Sequence, residues 1–234
     1  MLSTHFAIAF LAGLIPALFW VWFWLREDSR KPEPYFLIAI SFIAGMAVVP
    51  MALPLQKIAL ELYTGPNVMV AWVIVEELLK YAVALALVFW NREVDEPIDM
   101  IIYLIVLALG FAALENALFI FNPLVLGEYM NSAITGGFRF LGATLLHVLA
   151  SGTVGVALAL AYYRSKTYQV IAGTIGLFIA VVLHALFNFF IMDANGKTIL
   201  AVFLFVWMGI ILLFLLFEKI KLLEHNHNLQ QHAP

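Results

Sequence analysis

Long apolar runs separated by short polar breaks set the pattern of this chain. Seven runs of about twenty residues can be drawn, each long enough to cross a bilayer core of ~30 Å as a helix. They extend from about His5 to Leu25, Tyr35 to Leu55, Asn67 to Trp90, Ile98 to Phe121, Phe138 to Tyr163, Tyr168 to Met192 and Thr198 to Phe217. They do not read as alternating ten-residue segments, so helices are expected and not a barrel. The first run ends in Trp20, Trp22 and Trp24 and has no basic n-region, which reads as a retained span and not a cleaved signal peptide. Pro50 and Pro54 lie near the far end of the second, where a kink is tolerated. The breaks include Gln56 to Pro66, a short polar connection, and Asn122 to Gly137, the longest connection and itself partly apolar. The pattern predicts an all-α, polytopic transmembrane helical bundle of about seven spans, with room for an eighth. Residues 1–217 form one membrane domain, and residues 218–234 a polar cytoplasmic tail holding His225, His227 and His232.

Composition agrees. The chain has 234 residues, is 65% hydrophobic and has a mean hydropathy of +1.01, a combination that fits only a helical membrane protein. The absence of cysteine removes disulfides, thiolate catalysis and Cys-ligated metals. No basic stripe points to nucleic acid; the partners are the lipid bilayer and whatever enters it. Arg26, Arg30, Lys31, Arg92, Arg164, Lys166, Lys219 and Lys221 follow the odd-numbered runs, against Lys57, Arg139 and Lys197 on the other side. The positive-inside rule places the chain in the cell membrane with its N-terminus outside and its C-terminus cytoplasmic.

Charge inside the third run changes the picture. Glu76, Glu77 and Lys80 interrupt it, and each charge near a bilayer centre costs roughly 2.5–3.5 kcal/mol on insertion scales. Lys80 is i+4 from Glu76 and i+3 from Glu77, so it can pair with either. The fourth run carries Phe111-x-x-x-Glu115-Asn116, the fifth His147-x-x-x-Ser151 and the sixth His184-x-x-x-Asn188. Counted from the outer ends of their helices, Glu76, Glu115, His147 and His184 all fall roughly 5–15 Å deep. Each alone has a structural reading too: an ion cluster for Glu76, Glu77 and Lys80, interhelical glue for Glu115 and Asn116, and a hydrogen-bonded core group for either histidine. Four helices presenting polar groups at one level argue for a site.

Two carboxylates and two histidines allow water activation, with a buried carboxylate as general base. Imidazoles can stabilise an oxyanion or bind Zn²⁺, and an Asn amide can donate to developing charge. Ser151, one turn from His147 on the same helix, makes a poor triad. A proton- or ion-coupled transporter would use the same Glu, Lys and His residues, but would carry inverted repeats or paired broken helices, which the sequence lacks. A non-catalytic receptor or scaffold is the third reading.

The ordered motifs Glu76-Glu77-x-x-Lys80, Phe111-x-x-x-Glu115-Asn116, His147-x-x-x-x-Gly152 and His184-x-x-x-Asn188 resemble the PrsW family of intramembrane proteases, relatives of the CAAX-processing and bacterial CPBP (Abi) membrane peptidases. The resemblance implies an intramembrane endopeptidase that cuts a membrane-anchored, anti-sigma-factor-like protein near its extracytoplasmic side. It implies Glu76 as the water-activating base with Glu77 beside it, His147 and His184 as catalytic or metal-binding groups, and Asn188 as an oxyanion donor. Lys80, Glu115, Asn116 and Ser151 are supporting residues. Zn²⁺ is the one cofactor considered, on Glu76, His147 and His184. Glu115 stands where the CAAX branch has His. The Asn122–Gly137 connection, over the proposed site, is a candidate lid.

Overall fold

A computed structural model describes residues 2–27, 31–87, 91–192 and 198–231, with side chains described as far as Glu224 in the last segment and Met192 described in backbone only. It is all-helical: α1 Leu2–Glu27, α2 Tyr35–Leu62, α3 Pro66–Leu87, α4 Pro97–Val125, α5 Tyr129–Phe138, α6 Thr144–Leu160, α7 Lys166–Met192 and α8 Ile199–Gln231, with a π-helical turn Arg139–Ala143 between α5 and α6. Among the described residues six helical segments are long and apolar enough to cross a membrane, one of them the continuous Tyr129–Leu160 rod. The segment α3 is the exception only because of Glu76, Glu77 and Lys80. At 22 residues it is about 33 Å long, and it turns those charges into the protein.

The helix at the centre is α4. From Ile98 to Ala113 every residue but Met100 is buried, as expected of a helix that is apolar on all faces. It packs against α1, α2 and α6, while α3 and α7 close the far side of the bundle against α2 and α6. Small residues make these approaches possible. A Cβ on Gly13 would collide with the Ala113 carbonyl, one on Gly45 with the Leu107 carbonyl, and one on Gly110 with the Phe42 carbonyl, while one on Gly155 would come 2.6 Å from the Ile101 Cα. On the α1 and α8 side the core is aromatic, with Trp24 stacked on Phe214 at 4.5 Å and 7°.

At the end of the bundle away from Glu76, Pro97 opens α4, and the Asp99 carboxylate accepts hydrogen bonds from the Asp95 and Glu96 backbone N–H groups at 2.9 and 2.7 Å. Lys31 pairs with Asp95 at 2.5 Å and Glu96 at 3.3 Å. Those contacts, Asp95 first, hold its ammonium above the usual lysine range.

Two expectations are corrected, and the polar tail is found to be helical. The stretch from Gln56 is not a connection: α2 runs unbroken through Pro50 and Pro54 to Leu62, because a helix embedded in its neighbours tolerates the lost N–H groups. The Asn122–Gly137 stretch is helical apart from Leu126–Glu128, where Gly127 takes φ 78°. It is pinned by the Ser132 hydroxyl, which donates to the Ile120 carbonyl at 3.0 Å. The tail after Phe217 continues α8 as far as Gln231. The side chains of His225, His227 and His232 lie outside the described residues.

Candidate active site

Helices α3 to α8 and the π-helical turn line a cavity of about 360 Å³, with Trp72 and Glu76 from α3, Glu115 and Phe119 from α4, Arg139 from the turn, His147 from α6 and His184, Phe187 and Asn188 from α7 among its lining residues. Residues separated by 107 positions thus meet, as His184 and Glu77 do. The i, i+4 spacing of His184 and Asn188 puts both on the wall.

Glu76 is held by one oxygen only. The Gln56 amide donates to its Oε1 at 2.8 Å, and the Trp72 indole donates to the Gln56 carbonyl at 2.9 Å. The other oxygen, Oε2, is buried and has no hydrogen-bond partner among the described residues. His184 Nε2 lies 3.8 Å from it, outside hydrogen-bonding range. Leaving a buried charged acceptor unsatisfied costs more than the ~1–3 kcal/mol of a neutral one. Here the unsatisfied atom belongs to a residue on a cavity wall.

Glu77 and Lys80 sit behind the wall. The Lys80 ammonium donates to Glu77 Oε1 at 2.5 Å and lies 3.3 Å from His147 Nδ1. It is also 4.8 Å from the centre of the Phe111 ring, a cation–π contact. His184 Nδ1 lies 2.7 Å from the same Glu77 Oε1. On the far side His147 Nε2 lies 3.1 Å from Glu115 Oε2, which also pairs with the Arg139 guanidinium. Arg139 Nε donates to Asn116 Oδ1 at 2.5 Å, and the Asn116 amide donates to the Thr144 hydroxyl at 2.9 Å. The two imidazoles meet edge to face at 4.9 Å. The result is one continuous polar chain from His184 through Glu77, Lys80, His147 and Glu115 to Arg139, with the Gln56–Glu76 pair 3.8 Å from its His184 end.

The sequence-derived residues therefore fall into groups. Glu76, Glu115, His147, His184 and Asn188 line the cavity, and Glu77, Lys80 and Asn116 brace it from behind. Ser151 is buried in α6 and is not among the lining residues. Two participants are not singled out by the sequence pattern. Gln56 falls in the stretch that reads as a connection, although Ala52, Gln56 and Ala59 form an inward i, i+4, i+7 stripe that continues α2. Arg139 enters the sequence reading only through the topology.

For a metal ion, donor atoms of Glu77, His147 and His184 lie within 4.8 Å of one another. Lys80 already contacts two of these residues, so a divalent ion there would face an ammonium. The better fit is the cavity face, where Glu76 Oε2 lacks a partner and His184 Nε2 stands beside it; carboxylate oxygen and imidazole nitrogen are ordinary Zn²⁺ ligands.

Comparison with known proteins gives a consistent result. A family model described as PrsW family intramembrane metalloprotease matches residues 33–216. The chain is 27% identical to Protease PrsW of Clostridioides difficile (strain 630) over 214 residues, covering 84% of each chain. It is 25% identical to Protease PrsW of Oceanobacillus iheyensis over 207 residues, 87% of this chain and 92% of that one. With Protease PrsW of Bacillus subtilis (strain 168) the identity is 26% over 182 residues, 76% of this chain and 80% of that one. No solved structure matches.

Proposed function

The chain belongs to the PrsW family of intramembrane metalloproteases, and from that premise we propose that it hydrolyses a peptide bond of a membrane-anchored protein with a water activated by Glu76. The observation that carries the reading is the buried, partnerless Glu76 Oε2 on the wall of the cavity. A carboxylate fixed through one oxygen by Gln56 presents the other to a water, takes its proton as the nucleophile attacks, and delivers it to the amide nitrogen as the C–N bond breaks. His184 Nε2 borders the same point. Asn188, also on the wall, donates to the oxyanion as the tetrahedral intermediate forms. Zn²⁺ held beside His184 Nε2 on the cavity face would, when bound, polarise the scissile carbonyl and lower the pKa of the attacking water, with Glu76 Oε2 kept free to take its proton.

The substrate enters from the bilayer and gives up helical hydrogen bonds around the scissile bond, which the polar wall can replace. The excess of Lys and Arg at the opposite end supports an extracytoplasmic site, with a C-terminus in the cytoplasm. The substrate class we assign is a single-span, anti-sigma-factor-like protein.

Membranes containing wild-type or Glu76→Gln protein, compared by N-terminal proteomics, should reveal a single-span protein that gains a new N-terminus only with the wild type. That protein, reconstituted with purified protease in liposomes, should be cut by wild type and left intact by Glu76→Gln. Equal cleavage by both overturns the reading.

A further inference from the structure

We propose that Lys80 is the built-in cation of the Glu77–His147–His184 cluster, and that it fixes the two histidines as opposite tautomers, so that His147 offers an N–H donor and His184 a lone pair. A lysine ammonium donates and cannot accept. Lys80 Nζ lies 2.5 Å from Glu77 Oε1 and 3.3 Å from His147 Nδ1, so Nδ1 of His147 must be the acceptor. The proton of that ring is then on Nε2, which faces Glu115 Oε2 at 3.1 Å. Glu115 is the ion-pair partner of Arg139 and accepts it. Both ends of the His147 ring therefore give the same assignment.

His184 comes out reversed. Its Nδ1 lies 2.7 Å from Glu77 Oε1, the oxygen that already receives Lys80. That oxygen is a charged acceptor, so Nδ1 carries the proton and Nε2 carries the lone pair, beside the partnerless Glu76 Oε2. A carboxylate behind one ring nitrogen is the arrangement that readies the other for a metal or a water proton.

The consequence concerns division of labour. His184 is the imidazole available to an ion or to water. His147 is a hydrogen-bond donor, first to Glu115 and then to the developing oxyanion, and it is not a resting-state ligand. Lys80 keeps a divalent ion out of the cluster behind the wall and confines it to the cavity face. These roles rest on the proteolytic reading; the tautomers do not.

The test is ¹⁵N NMR of histidine-labelled protein in lipid nanodiscs, treated with chelator, with the two rings identified from His147→Gln and His184→Gln spectra. Wild type should show His147 protonated at Nε2 and His184 at Nδ1. Added Zn²⁺ should move the His184 Nε2 signal and leave His147 in place. In Lys80→Met the freed Nδ1 makes His147 respond to Zn²⁺ with His184, and Lys80→Arg should behave as wild type. Finding the same tautomer for both rings, a His147 ring that follows Zn²⁺ in the wild type, or a Lys80→Met spectrum identical to wild type in folded protein overturns the proposal. The wild-type measurement decides even if Lys80→Met fails to fold. Loss of proteolysis in the liposome assay with these tautomers intact would count against the proposed function alone.

Discussion

The α1 and α8 side of the bundle and the α3–α7 side bury polar atoms at the same kind of cost, yet to different ends. Among the described residues, the partnerless buried atoms on the first side are the indole nitrogens of Trp20 and Trp24. They sit among packed rings, Trp24 against Phe214 at 4.5 Å and Phe217 at 5.8 Å, and Trp20 against Trp207 at 6.4 Å. On the second side the partnerless atom is Glu76 Oε2, next to about 360 Å³ of space. An unsatisfied atom inside close-packed rings is the residue of packing, because the surrounding apolar contacts outweigh it. An unsatisfied carboxyl oxygen at the edge of a cavity, with the His184 Nε2 3.8 Å away, is a place for chemistry.

That contrast fails first, and most visibly, at Glu76. Glu76→Gln keeps the shape and should lower cleavage by about 10²–10⁴, the usual contribution of a general base. Trp24→Phe, which removes the other kind of orphan, should leave the rate per folded molecule unchanged. Equal losses in the liposome assay would erase the distinction. Metal removal comes next. Chelation should inactivate the enzyme and Zn²⁺ restore it, with metal analysis showing that His184→Gln no longer retains the ion. An ion retained equally by His184→Gln moves the site away from the cavity face.

Much of this site was legible before any coordinates, because ionisable residues in an apolar run are conspicuous. Glu76, Glu77, Lys80, Glu115, His147 and His184 stand out for their cost, and helical arithmetic places them at one level. Arg139 and Gln56 were not legible, for different reasons. The partners of Arg139, Glu115 and Asn116, are 24 and 23 residues away, a pairing that no local spacing encodes, and it rides on a π-helical turn, a feature set by tertiary packing. Gln56 followed two prolines that looked like the end of a span. In a membrane bundle, neighbouring helices satisfy the backbone groups that proline frees, so α2 continued. The roles of the two histidines were equally hidden, since they depend on which atom each nitrogen faces.

Both residues give graded tests. Arg139→Gln removes the charge that holds Glu115, a charge-assisted interaction of about 1.5–3 kcal/mol, and should slow turnover roughly 10- to 100-fold. Arg139→Lys should recover part of that, since an ammonium restores the ion pair but not the second hydrogen bond to Asn116. Gln56→Leu leaves Glu76 charged but unpositioned, and a loss of about tenfold in kcat corresponds to about 1.4 kcal/mol. No change in either variant would mean that the contacts of Arg139 and Gln56 are structural only.

The smallest effect on activity should come from Gly13→Ala, which probes the other half of the comparison. A Cβ at Gly13 would strike the Ala113 carbonyl and come 2.9 Å from the Ala117 backbone nitrogen, backbone atoms of α4 that cannot rotate away as a side chain could. Because α4 is enclosed on its other faces by α2 and α6, α1 is the helix that must retreat. Overpacking of this kind costs about 1–3 kcal/mol, and thermal unfolding of the detergent-solubilised protein should report it as a lower Tm. No cavity residue belongs to α1, so at low temperature the cleavage rate per folded molecule should match wild type. If it falls instead, α4 has yielded at Ala113 and Ala117 and carried the intervening Glu115 with it. The aromatic side of the bundle would then be setting the position of the site rather than merely enclosing it.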